Sequence, residues 1–185
     1  MTVEDTHNQE LDWQKFLDND MKAFRSIYRA NYQLLFSYAM RFHSDKPSAE
    51  DCIQTMFLNI LSSREKLPVV RSVRAYLVRS LRNQILSSKR TKVENFPLIS
   101  DSEFDFKKKG FNENVYKQLK ELITKLSPRE RELVYLKYFH GFRSTEISEL
   151  LDIEYQTVRN TLANAITKMR KLGDDVLQVL LLVFK

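Results

Sequence analysis

Apolar residues in this 185-residue chain recur at three- and four-residue steps over long stretches, and the four prolines stand where that pattern breaks. Such spacing places apolar side chains on one side of an α-helix, whereas proline is disfavoured inside a helix. Strand signals are nearly absent, because the short apolar run at 67–70 is interrupted by Pro68. The pattern therefore predicts an all-α fold whose helices are bounded by the prolines.

One stretch of the chain separates two helical parts. Residues 91–112 mix Thr, Asn, Pro, Ser, Asp, Lys and Gly without sustained periodicity, which is typical of a linker. We therefore predict two small helical domains, at 1–92 and 113–185, joined by a flexible linker at 93–112.

Helix start signals divide the first predicted domain. A short helix is expected at 13–17, followed by a long helix that ends before Pro47. Ser48 has an acid three residues later and is expected to be the N-cap of the next helix, and Ser72 is expected to cap the last one.

The second predicted domain begins with a strong helix signal. In the tetrad 127–130 (SPRE), serine can cap, proline presets the first turn and glutamate can reach back to the cap. We predict helices at 128–140, 144–151 and 155–172, with a three-residue turn at 152–154. Two helices across such a turn form a helix-turn-helix.

Composition excludes several classes of function. Only three glycines occur, so the glycine-rich loops that hold nucleotide phosphates cannot be built. The single cysteine, Cys52, excludes an internal disulfide and a multi-cysteine zinc site, and no histidine stands at helical spacing from Glu50 and Asp51. We therefore expect no metal, no cofactor, no catalytic residue and no enzymatic activity.

Neither end of the chain carries a signal for export or for a membrane span. The sequence opens with acidic and polar residues, and its longest apolar run, 179–184, has six residues, where a membrane span takes about 20. We expect a cytoplasmic protein without membrane insertion. The apolar tail at 174–185 is expected either to pack on its own domain or to bind another protein.

Positive charge is concentrated in one segment of the chain. Residues 66–92 hold eight basic and no acidic side chains, whereas the whole chain has a net charge of +6. An acid-free stretch between balanced neighbours favours a polyanion-binding surface over an ordinary solvated helix face. The apolar spacing places this basic segment on a helix, with Arg74, Arg79 and Arg82 on its flanks.

The long final helix is predicted to have two different sides. Its apolar side carries residues at steps of four, three, four and three: Val158, Leu162, Ala165, Met169 and Leu172. Its other side is rich in amides and small residues: Gln156, Arg159, Asn160, Ala163, Asn164 and Thr167. Glutamine and asparagine can pair with adenine, and arginine with guanine, in the major groove of DNA. This side predicts DNA recognition; the alternative is the third helix of an ordinary bundle.

Two groups of residues resemble conserved regions of a single protein family. The first group resembles the second region of bacterial extracytoplasmic-function (group four) sigma factors of the sigma-70 superfamily: 49–57 (AEDCIQTMF), 74–77 (RAYL) and 82–83 (RN). The other group resembles their fourth region: 127–132 (SPRERE), 146–147, 157–159 and 165–170. The resemblance covers roughly residues 12–172, with the two regions in the family's order.

The resemblance implies a subunit that binds core RNA polymerase, directs it to promoter DNA and assists duplex opening without being an enzyme. It implies that Asp51, Gln54 and Phe57 dock on the polymerase clamp. The basic segment would engage the minus-ten element, with candidate contacts at Arg71, Arg74, Arg79, Arg82, Asn83, Lys89 and Arg90. The helix-turn-helix would read the minus-thirty-five element, with candidate contacts at Arg143, Ser144, Thr145, Tyr155, Gln156, Arg159, Asn160 and Asn164. Many members are restrained by an anti-sigma factor, which makes such a protein a candidate partner.

A second class of function fits part of the same pattern. An ordinary transcriptional regulator would bind an operator through a C-terminal helix-turn-helix and use its N-terminal half as a sensor. A sensor has no need for the acid-free basic helix within 66–92, whereas a second DNA contact does. The sequence therefore favours the sigma factor over the regulator.

Overall fold

The chain divides into two compact units, Met1–Thr91 and Lys92–Lys185, in its computed structural model. The structure describes residues 3–89, 121 and 123–170. Every regular element in these ranges is helical, which confirms the predicted all-α class. The predicted linker at 93–112 and the apolar tail at 174–185 lie outside the described residues. Within the described part, no helix has both the length and the apolar character that crossing a membrane requires.

The first unit contains four α-helices and a short 3-10 turn within residues 3–89. The helices are α1 (Val3–Leu17), α2 (Met21–Ala39), α3 (Lys46–Ser62) and α4 (Val73–Lys89), and the 3-10 turn Arg64–Lys66 follows α3. Helix α2 packs against each of the other three helices. Its central position leaves the outer faces of α3 and α4 open for contacts with partners.

The short helix predicted at 13–17 is wrong in its extent, because α1 begins at Val3. The early part of α1 is attached to α2 through a buried polar contact. Asn31 Nδ2 donates a hydrogen bond to Gln9 Oε1 at 3.2 Å and a second one to the carbonyl of Ile27 at 2.8 Å. Apolar periodicity could not reveal a helix that is held by two amides.

The predicted helix start at Ser48 is also wrong. Helix α3 begins at Lys46, and Asp45 is its N-cap. The Asp45 carboxylate accepts hydrogen bonds from the backbone N–H of Ser48 at 2.8 Å and from its hydroxyl at 2.9 Å. Pro47 therefore lies in the first turn, where its missing N–H leaves no intrahelical bond unmade.

The core of the first unit is rich in aromatic side chains. Trp13 makes edge-to-face contacts with Phe16 and Tyr76, at ring-centroid distances of 5.6 and 5.1 Å. The indole N–H of Trp13 donates to the carbonyl of Pro68 at 3.0 Å. Trp13 thereby fixes the loop between α3 and α4 against α1, so the entry into α4 has a defined position.

The second unit contains three α-helices and one π-helical turn in its described part. Helix α5 (Pro128–Val134) continues directly into the π-helical turn Tyr135–Phe139, and α6 (Ser144–Leu151) and α7 (Tyr155–Arg170) follow. The helix predicted at 128–140 is therefore present as far as Phe139, with its second half in the π form instead of the α form. Gly141 turns the chain at a φ of +68°, and the buried Phe142 donates its N–H to the carbonyl of Leu136 at 3.1 Å. This wider turn lets the chain bury Phe142 before α6 begins.

The start of α5 is bonded to the end of α7. Ser127 and Glu130 form the predicted capping box, in which the Ser127 N–H donates to Glu130 Oε2 at 2.8 Å. Lys168 Nζ lies 2.7 and 2.8 Å from the two carboxylate oxygens of the buried Glu130. Burial raises the pKa of Glu130, but the hydrogen bonds from Lys168 and from Ser127 outweigh it, so the pKa is lowered overall.

We expect Glu130→Gln to destabilise the second unit at neutral pH by about 1–2 kcal/mol, because the ion pair and part of the cap are lost. A carboxylate whose pKa is lowered by folding stabilises the fold above its unfolded pKa of about 4.3, and this stabilisation is lost as the pH falls through the folded pKa. The difference from the wild type should therefore be largest at pH 7 and shrink below about pH 4. Urea unfolding at both pH values measures it, with the exposed Glu149→Gln as control; a difference that does not change with pH contradicts the role of the charge.

Candidate nucleic-acid interface

Part of the basic segment lies on α4, as predicted: this helix carries Arg74, Arg79, Arg82 and Lys89, whereas Lys66 and Arg71 precede it. Ser72 caps this helix, since its Oγ accepts a hydrogen bond from the N–H of Ala75 at 3.3 Å. The predicted apolar side is buried and consists of Val73, Leu77, Leu81 and Ile85. The sequence therefore located both the start of α4 and its core-facing side.

The basic residues of this segment differ in their exposure. Arg71 and Arg79 are exposed, and Arg74 is half-buried. Arg82 is only 8% exposed, so its predicted place on an exposed flank is wrong. Arg82 lies four residues after the fully buried Val78, on the same side of the helix. The buried side of α4 is therefore wider than the predicted apolar stripe of four residues. Lys89 is the last residue of α4, and Arg90 lies outside the described residues.

A groove of about 420 Å³ runs between α3 and α4. Its walls carry one aromatic ring together with hydroxyls and amides: Met56, Asn59, Ile60, Ser63, Tyr76, Ser80, Asn83, Gln84 and Ser87. The Gln84 amide donates to the carbonyl of Cys52 at 3.1 Å, which fixes one wall to α3. A ring for stacking and polar groups for base edges are what a nucleotide base turned out of a duplex requires.

The outer face of α3 carries two of the three predicted polymerase contacts. Asp51 and Gln54 are exposed. Phe57 is only 5% exposed, and its ring lies 5.8 Å from that of Phe24 and 4.9 Å from that of Tyr28. The resemblance implies that Phe57 docks on the polymerase clamp as well, but its ring packs in the core beneath that face.

Two features of this face could not be predicted from the sequence. Leu58, one turn after Gln54, is 64% exposed; an isolated leucine in an amphipathic helix gives no signal that distinguishes a surface position from a core one. The hydroxyl of Tyr32 donates to Glu50 Oε1 at 2.8 Å, and this bond, with burial, raises the pKa of Tyr32 to about 12. Lys46 pairs with the same carboxylate at 3.5 Å. These contacts fix Glu50 beside Asp51.

The predicted helix-turn-helix is present. Helix α6 ends at Leu151, and its C-cap, Asp152, adopts a left-handed conformation with a φ of 53°. Ser148 and Ile153 close the turn with two hydrogen bonds: the Ile153 N–H donates to the Ser148 carbonyl at 3.1 Å, and the Ser148 hydroxyl donates to the Ile153 carbonyl at 2.6 Å. Asp tolerates the left-handed region better than most residues. The turn therefore has a defined conformation between α6 and α7.

Helix α7 has the two sides that its sequence predicts. Val158, Leu162, Ala165 and Met169 are buried, and Leu172 lies outside the described residues. The predicted recognition side is exposed throughout: Gln156, Arg159, Asn160, Ala163, Asn164 and Thr167. Tyr155, at the start of α7, is 44% exposed. The Gln156 amide donates to Asn160 Oδ1 at 3.0 Å, which orients two of the predicted base-reading side chains.

The start of α6 carries the other predicted contacts of the helix-turn-helix. Arg143 and Thr145 are exposed, and Ser144 is half-buried. Arg143 is the N-cap residue, so neither hydroxyl occupies the capping position. The Arg143 N–H donates instead to Glu146 Oε2 at 2.7 Å. The two hydroxyls therefore have a position from which they can bind a phosphate.

Side chains suited to metal binding are not clustered in the described part. No group of three His, Cys, Asp or Glu residues at 3–89, 121 or 123–170 could hold a metal ion. The residues that the site brings together are cations, amides, hydroxyls and aromatic rings. This chemistry fits nucleic acid and protein partners.

Two family models match the chain, one in each unit. The model for Sigma-70 region 2 matches residues 27–94, which include α3 and α4. The model for Sigma-70, region 4 matches residues 116–169, which include the helix-turn-helix. The two matches have the order that the resemblance predicts, and together they cover most of the chain.

Curated relatives and solved structures agree with these matches. The ECF RNA polymerase sigma factor SigL of Mycobacterium tuberculosis is 25% identical over 152 residues, which are 79% of this chain and 86% of SigL. The RNA polymerase sigma factor SigV of Bacillus subtilis is 26% identical over 141 residues, 75% of this chain and 81% of SigV.

Two solved structures share the fold at low sequence identity. The structure of CnrH in complex with the cytosolic domain of CnrY matches with a TM-score of 0.64 and 16% identity, over 89% of this chain and 96% of the matched chain. The sigma factor RpoE of Bartonella quintana, in complex with the anti-sigma factor NepR, matches with a TM-score of 0.58 and 17% identity, over 82% of this chain and 97% of the matched chain. The chain therefore belongs to the sigma-70 family, as an extracytoplasmic-function sigma factor that acts in transcription initiation.

Proposed function

We propose that the two units contact one promoter at separate places while core RNA polymerase holds the sigma factor, which itself catalyses no reaction. The first unit engages the minus-ten element and assists its melting, and the second unit reads the minus-thirty-five element. The observation that carries this proposal is the presence of two exposed DNA-compatible faces on different units, α4 with its groove and α7. A protein that binds one operator needs only one of them.

The minus-ten contact is assigned to α4 and the loop before it. Arg71 and Arg79 are exposed cations that can follow a phosphate backbone, and Asn83 lines the groove between α3 and α4. Promoter melting requires a binding site for bases that leave the duplex. Stacking on an aromatic ring contributes about 1–3 kcal/mol of binding free energy per base. Tyr76 is the one aromatic residue among those that line this groove. We infer that the groove accepts an unstacked base of the minus-ten element.

We expect the double variant Arg79→Ala with Asn83→Ala to leave closed-complex formation largely intact and to reduce promoter opening about tenfold. A hydrogen bond to a charged group contributes about 1.5 kcal/mol, which corresponds to this factor. Permanganate reactivity of the melted thymines measures opening, and band-shift assays of the holoenzyme measure the closed complex. Gln14→Ala, exposed on α1, is the control. Unchanged permanganate reactivity in the double variant contradicts the assignment.

The polymerase contact is assigned to the exposed face of α3. Asp51 and Gln54 offer a carboxylate and an amide to the clamp, and the exposed Leu58 adds an apolar contact beside them. Partly apolar surfaces with a few polar groups are typical of protein interfaces. The buried ring of Phe57 supports this face from below.

An anti-sigma factor is a further partner that we propose for this chain. RpoE of Bartonella quintana, whose fold this chain shares, has a structure with the anti-sigma factor NepR. Such a partner would cover surfaces that core polymerase or promoter DNA needs. Mutually exclusive binding of the anti-sigma factor and core polymerase to this chain is the expected result of a competition assay.

A further inference from the structure

The outer side of α2 carries a row of cations that the predicted DNA contacts do not include. Lys22, Arg25 and Arg29 are all exposed. Their steps of three and four residues place them in one narrow strip of the helix surface. Ile27 and Asn31, on the opposite side of α2, are buried. The α2 basic row, defined as Lys22, Arg25 and Arg29, therefore faces away from the core.

The α2 basic row is not neutralised within the described part of the chain. No acidic residue occurs between Met21 and Ser44. None of the three cations forms an ion pair with a described residue. The nearest preceding acid, Asp20, is the N-cap of α2, and its carboxylate accepts the backbone N–H of Lys22 at 2.7 Å. The three cations therefore do not stabilise the fold through an ion pair with any described acid. Their charges produce a concentrated positive field on this side of α2.

The dimensions of the row suit a nucleic-acid backbone. Seven residues separate its first and last members, which at a rise of 1.5 Å per residue is about 10 Å. One strand of DNA carries a phosphate every 3.4 Å along the axis, so the row covers about three phosphates. Two small residues, Ser26 and Ala30, line a shallow depression together with the three cations. A backbone can therefore approach the helix closely.

The α2 basic row continues the proposed minus-ten surface. Arg64 donates a hydrogen bond to the Asn19 side chain, three residues before Lys22. Trp13, in the preceding helix, fixes Pro68 of the same loop. The start of α2 therefore lies beside the loop that leads into α4. This loop carries the exposed cations Lys66 and Arg71.

We propose that the α2 basic row binds the sugar–phosphate backbone of promoter DNA next to the minus-ten element, without reading bases. This inference rests on the proposed function, because it extends the DNA contact of the first unit from the α3–α4 loop to α2. The summed charge of residues 1–65 gives no sign of this row, because the acids on both sides of α2 leave that segment with seven basic and ten acidic side chains.

The test uses the full chain assembled with core polymerase. In the triple variant Lys22→Gln, Arg25→Gln and Arg29→Gln, three fewer phosphates are neutralised. We expect the slope of log affinity against log salt to become shallower by about 2–3, since each phosphate contributes about 0.7–0.9. Promoter affinity is measured by fluorescence anisotropy over a series of salt concentrations, and affinity for core polymerase is measured separately and should stay unchanged.

Two matched variants give the controls. Gln33→Ala changes an exposed, uncharged residue one turn beyond Arg29 on the same strip, and it should keep the wild-type slope. The exchange variant Lys22→Arg, Arg25→Lys and Arg29→Lys keeps the charge and should also keep the slope.

Each other outcome contradicts a specific claim. A wild-type slope in the triple variant overturns the inference, whatever the affinity for core polymerase. A wild-type slope together with weakened polymerase binding would identify the row as a contact for an acidic protein surface instead. Absence of promoter-specific binding by the wild-type holoenzyme would contradict the proposed function itself.

Discussion

Replacing Arg159 and Asn160 together by alanine is expected to lower discrimination between promoter and non-promoter DNA by about 100-fold. Both side chains are exposed on the recognition side of α7. A well-formed side-chain contact to a base contributes about 1–3 kcal/mol of discrimination, so two contacts account for about 3 kcal/mol, or two factors of ten. Affinity for core polymerase should not change, since the proposed polymerase contact lies on α3 of the first unit.

The measurement compares holoenzyme binding to a cognate promoter and to the same promoter with an altered minus-thirty-five element. The wild type should distinguish the two DNAs strongly, and the double variant should bind both with similar, weak affinity. Thr124→Ala changes an exposed, uncharged residue that precedes α5 and is not among the predicted DNA contacts, and it serves as control. Equal losses of promoter selectivity and of polymerase binding would be incompatible with a recognition role for α7.

Replacing Asp51 and Gln54 by alanine is expected to weaken holoenzyme assembly by about 30- to 100-fold. We expect the two residues to be hot spots of this interface, and truncating a hot spot costs about 2 kcal/mol or more. Both residues are exposed on α3, so the loss reflects binding to a partner and not unfolding. Once assembled at high concentration, the variant holoenzyme should select the same promoters as the wild type.

Holoenzyme assembly is measured as the dissociation constant of fluorescently labelled sigma factor for core polymerase. Asp18→Ala removes a similar charge from an exposed position at the end of α1 and should bind as the wild type does. An unchanged dissociation constant in the double variant would move the polymerase contact away from this face of α3. Thermal melts of both variants verify that the first unit stays folded.

Much of the fold could be predicted because its signals are local. The apolar stripe of α7 follows directly from the helical repeat, and the Ser127–Glu130 capping box is a four-residue pattern. Contacts between residues that are far apart in the sequence could not be predicted from such local patterns. The pairing of Gln9 with Asn31 and the burial of Arg82 both depend on which helices pack together.

In the candidate site, too, local patterns could be predicted from the sequence and tertiary packing could not. The exposed side of α7 was predictable residue by residue, because its polar residues alternate with the stripe that must be buried. Phe57 was misplaced because a motif match does not say which members face a partner and which face the core. The acid-free stretch at 21–44 is visible in the sequence, but the burial of Ile27 and Asn31, which leaves the α2 cations on the outer side of the helix, appears only once α2 is packed.

The central claim is that this protein confers promoter choice on core RNA polymerase. The direct measurement is run-off transcription by purified core polymerase on a promoter library, with and without the purified chain and with no inhibitor present. If the chain confers promoter choice, transcripts start at a defined set of promoters only when the chain is added. Transcripts that are absent, or whose start sites are the same in both reactions, would contradict it.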